Sequence, residues 1–484
     1  MKNRSVYFVI GIILLVVSLF MIFPLLAALY YGEIREIKAL LFSMIITAVS
    51  GVIISRITEY DPEMTNREGI LIGAISWIVV PLFGCLPFIF SGLFPNILDA
   101  YFEAVSGFTT TGATVLVNIE AAPRSILLWR SITQWLGGMG ILLVFVAVAP
   151  RPGIGSIRLL KAETPSPYIS KIAPRFTSYA KYIWVVYIIL TLLELFLLSF
   201  SGIGFYEALN HTLTSISTGG FSTRDGGLGA FNNVMVETIV IIFMIIGGGN
   251  YVLYYILFSQ KNPLLLFKDQ EYRSYITVLL VGFILVGIGV YLNYFGNWSE
   301  SIRYGLFQAI SLTTGTGHVT YNYDLWPVMV KMLFIILFFF GGCRYSTTGG
   351  IKMVRMLIAI KFIKGEIIRN IHPNLVYHVK INNEDVPDLV VRNVIGFFLL
   401  YIVSFFLTAL LLSGFGFDIL SSISASAAII SNVGPALESF GPMKDYTELP
   451  GLLKIWLSFT MVLGRLEIYP LLIFFRTLAI PGER

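Results

Sequence analysis

Long apolar segments alternate with shorter ones along the chain, and this alternation predicts the elements of the fold. A helix of about 20 apolar residues crosses a bilayer core of about 30 Å. Segments of that length or longer lie near residues 6–31, 38–57, 69–93, 125–149, 178–201, 233–258, 275–295, 326–360, 390–413 and 450–476. Four apolar segments between them are too short to span, and they are predicted to form re-entrant helices at 98–109, 205–217, 301–313 and 417–431.

Each short segment ends in a turn that combines Ser, Thr or Asn with glycine. Irregular backbone at membrane depth is tolerated only where it is buried in protein or lines a water-filled cavity. Four such turns at similar spacing predict a common central pathway and a repeated unit of helix, short helix, glycine turn and helix. The predicted turn residues, aligned on their glycines, are Thr110, Thr111 and Gly112; Ser217, Thr218 and Gly219; Thr313, Thr314 and Gly315; and Asn432, Val433 and Gly434.

Composition places the chain among polytopic helical membrane proteins. Hydrophobic residues make up 56% of its 484 residues and charged residues only 13%. A soluble protein of this length could not bury so much apolar surface in one core. The net charge of +5 does not indicate a nucleic-acid partner, because the basic residues follow the predicted membrane topology. Cys85 and Cys343 lie far apart in apolar stretches, so neither a disulfide nor a metal pair is expected.

Lysine and arginine predict the orientation of the chain. The loops opposite the glycine turns are basic, whereas the side of the turns carries only single basic residues. The positive-inside rule then puts both termini in the cytoplasm and the glycine turns on the outer side of the cell (inner or plasma) membrane. The basic loop residues are Arg151, Arg158, Lys161, Lys171, Arg175, Lys181, Lys261, Lys268, Arg273, Lys352, Arg355, Lys361, Lys364, Arg369 and Lys380.

The glycine turns offer neutral oxygen atoms to an ion. Carbonyl groups that point inward in a row need backbone angles that L-residues avoid, which explains the glycines. None of the four turns contains Asp or Glu, and potassium, a large and weakly hydrated ion, does not require carboxylates. Small residues also occur where membrane helices simply pack closely, but four turns in register favour an ion pathway.

Two further features interrupt the apolar segments. The 326–360 segment is too long for one straight crossing, and its glycine-rich 341–350 stretch predicts an unwound loop within the membrane rather than a simple kink. Arg465 lies in the last apolar segment, where a charged residue normally faces a cavity or a partner. It is predicted to face the pore as an electrostatic barrier to cations. The alternative, a salt bridge with Glu467, is disfavoured because residues two apart on a helix point to different faces.

Together with the glycine turns, four motifs resemble those of the Trk/Ktr/HKT superfamily of potassium transporters, over essentially the whole chain. The two helices before the first repeat are similar to the TrkH/TrkG branch of that superfamily. Members usually have a small residue and glycine near Arg344-Tyr345, glycine at Thr348 and an aromatic residue at His318, so the chain departs from the pattern there. The motifs are QWLGGMGI at 134–141, GGNY at 248–251, GGC with STTGGIK within 341–352, and LGRLE at 463–467.

The resemblance implies potassium uptake through a selectivity filter built from the four turns of one chain. It implies that the unwound loop lies under this filter and blocks it until the loop moves. Potassium is then the transported ion, no organic cofactor is expected, and the chain forms a homodimer gated by a TrkA-like cytoplasmic ring that binds nucleotides. The loops around Lys161 and Lys361 are candidate docking sites for the ring, although the positive-inside rule alone explains the basic residues of these loops better. The implied gate residues are Gly341, Gly342, Ser346, Thr347, Gly349, Gly350 and Arg465.

The predicted fold is all-α and polytopic, with four helix–pore-helix–filter–helix repeats around a pseudo-fourfold pore and a two-helix hairpin before them. The predicted units are the hairpin at 1–66, repeat 1 at 67–150, a cytoplasmic loop with repeat 2 at 151–260, repeat 3 with its broken second helix at 261–365, and a cytoplasmic loop with repeat 4 at 366–484.

Two other functions remain open from the sequence. A potassium symporter coupled to Na⁺ or H⁺ would use the same fold, and weak ion sites need no acidic residue. An intramembrane lipid enzyme would need Asp, Glu or His gathered at one membrane depth, and the apolar segments offer only scattered carboxylates at Glu194, Glu237 and Glu467.

Polar residues near the predicted outer mouth also have two interpretations. Asp99, Glu103, Glu120 and Asp225 either enrich cations there or are ordinary solvated charges. His318 follows the third turn and is predicted to line the mouth, with a pH sensor as the less favoured role.

Overall fold

The computed structural model describes residues 4–57, 65–140, 176–262 and 264–479. The end of the predicted 125–149 segment lies outside the described residues. The basic loop residues Arg151, Arg158, Lys161, Lys171 and Arg175 lie outside them as well.

Helices dominate the described part of the chain, and a two-stranded antiparallel hairpin pairs β1 (Lys380–Ile381) with β2 (Glu384–Asp385). The helices are α1 (Arg4–Phe20), α2 (Ile22–Tyr31), α3 (Ile34–Arg56), α4 (Asn66–Gly84), α5 (Leu86–Phe90), α6 (Ile97–Phe108), α7 (Arg124–Gly138), α8 (Phe176–Ser199), α9 (Phe205–Ile216), α10 (Val234–Gly247), α11 (Tyr251–Gln260), α12 (Leu264–Lys268), α13 (Gln270–Val290), α14 (Trp298–Thr313), α15 (Val328–Phe338), α16 (Met353–Ile371), α17 (Asp388–Gly414), α18 (Ile419–Ile430), α19 (Gly451–Arg465) and α20 (Tyr469–Ala479).

Within the described residues, six helical stretches are long and apolar enough to cross a membrane, and two bent pairs bring the number to eight. The multi-pass, all-α class predicted from composition is therefore confirmed. The 326–360 segment is interrupted as predicted, since α15 ends at Phe338 and α16 begins at Met353. The residues between them, 339–352, are called the 339–352 loop below.

Two segments predicted as single crossings are bent pairs instead. Helices α10 and α11 meet at 95°, and α19 and α20 meet at 115°. Asn250 starts α11 afresh by accepting the backbone N–H of Val252 at 3.0 Å, and Glu467 and Ile468 take left-handed φ angles of 55° and 69° before α20. The sequence predicts apolar segments over 233–258 and 450–476 but not their bends, because apolar composition does not record a local reversal of the backbone.

Helices α6, α9, α14 and α18 are the four short helices predicted from the sequence, and they are called short helices 1 to 4. Their ends match the predicted bounds within a few residues. Side chains of Asn96, Asn297 and Asp418 accept backbone N–H groups and so cap the first turns of three of them. Each short helix directs its C-terminal end, which carries partial negative charge, toward its glycine turn.

The helices close into a ring of four units. The helix after each short helix, called its following helix, is α7, α10, α15 or α19. Short helix 2 packs on α7, short helix 3 on α10, short helix 4 on α15, and short helix 1 on α19. Each short helix thus contacts the following helix of the preceding unit. Short helix 1 contacts the following helix of the fourth unit, and this contact closes the ring.

Ionic contacts cross all four boundaries of this ring. Burial makes the two shortest pairs sensitive to the loss of either partner, because an unpaired charge is costly away from water. The pairs are Glu120–Arg224 at 3.6 Å, Glu237–Arg303 at 2.6 Å, Lys331–Glu438 at 2.7 Å and Lys454–Asp99 at 2.6 Å.

The amino-terminal hairpin packs against the first unit. Helices α1 and α3 contact each other closely, since a Cβ atom on Gly11 would lie 2.7 Å from the Gly51 carbonyl oxygen. Helix α1 also packs on α4, and α2 on α7. The Glu33 carboxylate accepts the backbone N–H groups of Arg124 and Ser125 at 2.8 and 3.1 Å, which fixes the hairpin to the start of α7.

We expect Lys454→Met to destabilise the protein by about 3–5 kcal/mol, because it leaves the Asp99 carboxylate buried without its partner. The side chains of Lys454 and Asp99 are only 6% and 12% exposed. The control is Lys380→Met, which removes the 60% exposed partner of Asp385 and should have little effect. The melting temperature of the purified protein in detergent is the measurement, and equal melting temperatures for both variants would contradict the expectation.

Candidate functional site

The four glycine turns share one backbone conformation. Each follows the end of its short helix and spans four residues: 109–112, 217–220, 314–317 and 431–434, called turns 1 to 4. The second and fourth residue of every turn have positive φ angles. The second residues are Thr110 (56°), Thr218 (53°), Gly315 (68°) and Asn432 (56°), and the fourth are Gly112 (79°), Gly220 (80°), Gly317 (75°) and Gly434 (90°).

Backbone hydrogen bonds confirm that these positions are equivalent. The N–H of the third residue in every turn donates to the carbonyl five residues earlier, inside the short helix. The four bonds are Thr111 to Ser106 at 2.9 Å, Gly219 to Thr214 at 2.8 Å, Thr316 to Ser311 at 2.9 Å and Val433 to Ala428 at 2.8 Å.

This geometry corrects the alignment made from the sequence. The sequence aligns Gly219 and Gly315 with Gly112, but the equivalent residues are Gly220 and Gly317, one and two positions later. Turns 2 and 3 each contain two glycines, and sequence alone does not say which one takes the fourth position. The turn residues that the sequence analysis missed are Thr109, Gly220, Thr316, Gly317 and Ser431.

The turns contact one another through glycine and carbonyl groups. The fourth-position glycine of each turn lies so close to the third-position carbonyl oxygen of the next turn that no side chain fits between them. Turn 1 meets turn 2, turn 2 meets turn 3, turn 3 meets turn 4, and turn 4 meets turn 1. A Cβ atom added at Gly112 would lie 2.2 Å from the Gly219 oxygen, and one added at Gly220 would lie 2.0 Å from the Thr316 oxygen. A Cβ atom added at Gly317 would lie 2.1 Å from the Val433 oxygen, and one added at Gly434 would lie 2.3 Å from the Thr111 oxygen.

First-position hydroxyl groups tie three turns to their own short helices. Thr109, Ser217 and Thr314 donate to backbone carbonyls four residues earlier, at 2.7, 2.7 and 2.8 Å. In turn 4 the Ser431 hydroxyl lies 2.7 Å from the hydroxyl of Tyr401. These side chains therefore stabilise the turns, while the carbonyl groups of the third residues contact the neighbouring turns.

Two amide side chains brace the ring from behind. Gln134 on α7 donates from Nε2 to the Gly219 carbonyl oxygen at 2.5 Å, and its Oε1 accepts the N–H of Phe221 at 3.0 Å. The Nδ2 of Asn432 donates to the Thr111 hydroxyl at 2.9 Å and to the carbonyl of Met461 at 3.0 Å. Turn 2 is thereby fixed to the first unit, and turn 4 to turn 1.

Close packing brings the following helices up to the ring. Three glycines on these helices leave room for the last carbonyl of the short helix in the same unit. A Cβ atom added at Gly137 would lie 1.8 Å from the Phe108 oxygen, one at Gly247 would lie 3.1 Å from the Ile216 oxygen, and one at Gly464 would lie 2.1 Å from the Ile430 oxygen.

A small cavity of about 70 Å³ lies on one side of the ring. Residues at or just after all four turns line it, among them Gly112, Gly220, Gly317 and Pro435, together with Lys444. The cavity therefore belongs to no single unit and opens onto the centre of the ring.

The acidic residues near this cavity make contacts within the protein. Asp99 is paired with Lys454, as described above. Glu103 is buried and lies 2.5 Å from Nε of Arg130, and Asp225 accepts the N–H of Ile119 at 2.7 Å. Asp99 and Glu103 are therefore held in buried ion pairs, whereas Asp225 is exposed and lines the cavity and Glu120 is exposed beside Arg224, so the cation-enriching role stays a prediction for these two.

His318 does not line the cavity. It is buried beside turn 3, where its carbonyl accepts the Ser311 hydroxyl at 2.7 Å, and its ring centre is 6.0 Å from that of His211. The prediction of a mouth-lining residue is wrong for this position, because the backbone after Gly317 directs the ring into the protein instead.

The 339–352 loop lies against the ring on the side of the short-helix ends. The Thr347 hydroxyl donates to the Ile216 carbonyl at 3.2 Å and is 3.2 Å from the Thr218 hydroxyl of turn 2. An added Cβ atom on Gly349 would lie 2.7 Å from the Ser431 carbonyl oxygen of turn 4. The loop thus contacts two opposite turns of the ring.

Within the loop, backbone and lysine bonds hold its two ends together. Gly341 donates to the Ile351 carbonyl at 2.9 Å, and Met353 donates to the Gly342 carbonyl at 3.0 Å. Lys352 donates from Nζ to the Thr348 carbonyl at 2.6 Å. The loop is therefore an ordered structure, folded back on itself between α15 and α16.

Arg465 joins the loop to the ring. Its guanidinium donates to the Thr347 carbonyl at 2.6 Å and to the Thr110 hydroxyl at 3.1 Å, and it also reaches the carbonyls of Gly137 and Gly138 at 2.7 and 3.0 Å. Glu467 pairs with Arg355 instead, so the alternative of an Arg465–Glu467 salt bridge is wrong.

No group of three or more His, Cys, Asp or Glu residues that could hold a metal ion occurs in the described part of the chain. The three carboxylates considered for a lipid enzyme lie in separate contacts. Glu194 accepts the Ser215 hydroxyl, Glu237 pairs with Arg303, and Glu467 with Arg355.

Known proteins match this chain over nearly its full length. A family model described as "TrkH: Cation transport protein" matches residues 35–481. The Trk system potassium uptake protein TrkH of Escherichia coli (strain K12) is 36% identical over 485 residues, with 98% of this chain and 99% of the relative covered. TrkG of the same strain is 33% identical over 478 residues, with 98% and 97% covered. The crystal structure of the potassium transporter TrkH from Vibrio parahaemolyticus superposes with a TM-score of 0.88 at 31% identity, covering 98% of each chain.

These similarities confirm the resemblance found from the sequence motifs and the all-α membrane fold that it implied. They also overturn the lipid-enzyme alternative, because the matching family consists of transport proteins. The chain belongs to the TrkH family of cation transport proteins.

Proposed function

We propose that the chain carries potassium ions into the cell through the centre of the four glycine turns. Relatives from Escherichia coli and Halomonas elongata are named Trk system potassium uptake proteins, at 36% and 34% identity. The observation that carries the proposal is the closed ring of turns, in which four third-position carbonyls and four fourth-position glycines alternate. A ring of this kind brings neutral backbone oxygens of all four turns together, and such oxygens can replace the hydration shell of a large monovalent cation.

Selectivity then comes from the backbone and not from side-chain charge. The turns contain no Asp or Glu, and the partial negative charge at the C-terminal ends of the short helices favours a cation at their common centre. The proposed filter comprises residues 109–112, 217–220, 314–317 and 431–434, which keeps the residues predicted from the sequence, except Thr313 at the end of short helix 3, and adds the missed ones.

The 339–352 loop is the proposed gate. It lies against turns 2 and 4, so an ion that leaves the ring on this side has to pass it. Gly341, Gly342, Ser346, Thr347, Gly349 and Gly350 supply the close contacts and hydroxyl bonds of its folded-back form. Arg465 adds a positive charge beside the loop and restrains it through the Thr347 carbonyl.

The proposed orientation puts both termini and the 339–352 loop toward the cytoplasm, and the small cavity toward the outside. Basic residues of the described chain, such as Lys268, Arg273, Lys361 and Lys364, support this under the positive-inside rule. The relatives are named as parts of a Trk system, which supports a second component. We infer a homodimer regulated by a TrkA-like, nucleotide-binding cytoplasmic ring.

Uptake of radioactive rubidium into liposomes that hold the purified protein tests the function. Potassium should reduce the uptake by competition, and sodium at the same concentration should not, because the ring of neutral carbonyls fits the larger ion. The assay is run with and without the TrkA-like ring and nucleotide. Absence of potassium-sensitive uptake under both conditions would contradict the proposed function.

Gly317→Ala should reduce potassium-sensitive uptake by about tenfold or more, which corresponds to about 1.4 kcal/mol or more in the transport barrier. The new methyl group would press on the Val433 carbonyl oxygen at 2.1 Å and distort the ring. Gly315→Ala is the matched control, because its methyl group would meet the Asn432 oxygen at 3.7 Å, and the other turns carry Thr or Asn at this position. A larger loss in Gly315→Ala than in Gly317→Ala would contradict the register of turn 3.

Arg465→Ala should raise the uptake rate several-fold, since it removes both a positive charge near the pathway and a restraint on the loop. Arg465→Lys keeps the charge but not the forked guanidinium that reaches four oxygen atoms, so it separates the two effects. Uptake by Arg465→Lys as fast as by Arg465→Ala would show that Arg465 slows transport by restraining the loop. Uptake as slow as in the wild type would show that it does so through its charge. An Ala variant that transports no faster than the wild type would contradict both.

A further inference from the structure

The 339–352 loop carries an arginine whose partner lies on a different helix. Arg344 donates from Nε to Oε2 of Glu271 at 2.8 Å, and its backbone N–H donates to Oε1 of the same carboxylate at 2.6 Å. The Glu271 side chain is fully buried, and that of Arg344 is 17% exposed. One carboxylate therefore holds the side chain and the backbone of a single loop residue.

Glu271 is itself fixed in place. It lies in the first turn of α13, next to Asp269, which caps this helix by accepting the N–H of Tyr272 at 2.8 Å. Asn382 in the β-hairpin donates to the other Asp269 oxygen at 2.7 Å. The start of α13 is thus bound to the hairpin, and Glu271 offers the loop a rigid point of attachment.

The neighbouring loop residues contact the bend between α10 and α11. Cys343 donates its N–H to the Gly248 carbonyl at 2.8 Å, and the Tyr345 carbonyl accepts the N–H of Tyr251 at 3.4 Å. Arg344 lies between these two contacts. A movement of the loop away from the ring has to break the backbone contacts and also separate Arg344 from Glu271, unless α13 moves with it.

Separation of this ion pair is unfavourable by ordinary electrostatics. A buried carboxylate that loses its ion-pair partner retains the cost of desolvation without the compensating attraction.

We propose that Glu271 and Arg344 form a latch that holds the 339–352 loop in its blocking conformation. The two are positioning residues, which act on the ion path through the loop and do not touch the ion. The inference deepens the proposed function and rests on it, since it requires the loop to be the gate. It makes basal transport by this chain slower than the filter alone would allow.

The test is the rate of rubidium uptake by the purified full-length protein in liposomes, with potassium and sodium as competitors. Glu271→Gln should raise the rate several-fold, and so should the double variant Glu271→Gln with Arg344→Ala, which leaves no buried charge unpaired. The preference for potassium over sodium should stay unchanged in both, because the ring is not altered. The reversed pair, Glu271→Arg with Arg344→Glu, should restore a slow rate.

Glu366→Gln is the matched control, because it removes the charge from an ion pair with Arg369 whose side chains are 44% and 47% exposed. Its uptake rate should equal that of the wild type. A double variant that is folded and takes up rubidium no faster than the wild type would overturn the latch. Potassium-sensitive uptake by the wild type would still support the proposed function in that case. A double variant that loses its fold would also overturn it, since the pair would then serve stability. Failure of the proposed function itself is recognised separately, by the absence of potassium-sensitive uptake in the wild type.

Discussion

The structure depends on one contact that occurs four times, between a glycine in one turn and a carbonyl oxygen in the next. Its closeness excludes any side chain at Gly112, Gly220, Gly317 and Gly434, and it fixes the distance between neighbouring turns. Because each turn both supplies an oxygen and receives one, the four turns form a closed ring only when all units are in place. The rest of the protein maintains this arrangement.

The surrounding helices support the ring with contacts that are fourfold in outline, and they add single features that are not. Each short helix packs on the following helix of another unit, and an ionic contact crosses every boundary. The 339–352 loop belongs to the third unit and Arg465 to the fourth. The 339–352 loop and Arg465 lie on the same side of the ring, where Arg465 donates to the Thr347 carbonyl of the loop. A symmetric ring suits binding of an ion, and an asymmetric loop suits control of its passage.

The sequence predicts the class of fold, the short helices and the location of the turns, because segment length and glycine content carry that information directly. It does not predict the register of turns 2 and 3, since Gly219 with Gly220, and Gly315 with Gly317, offer two candidates each and only the backbone angles distinguish them. It also misses the reversal at Glu467 and Ile468, where two ordinary residues take left-handed angles. The Glu271–Arg344 pair joins residues far apart in the chain, and no local pattern indicates it.

The proposed function requires that the four third-position carbonyls surround the transported ion. Crystals of the protein grown with rubidium in place of potassium test it most directly, through the anomalous scattering of the ion. We expect an anomalous peak at the centre of the ring, within coordination distance of the carbonyl oxygens of Thr111, Gly219, Thr316 and Val433. A ring without a peak, with rubidium bound instead at a carboxylate such as Glu194, would contradict it.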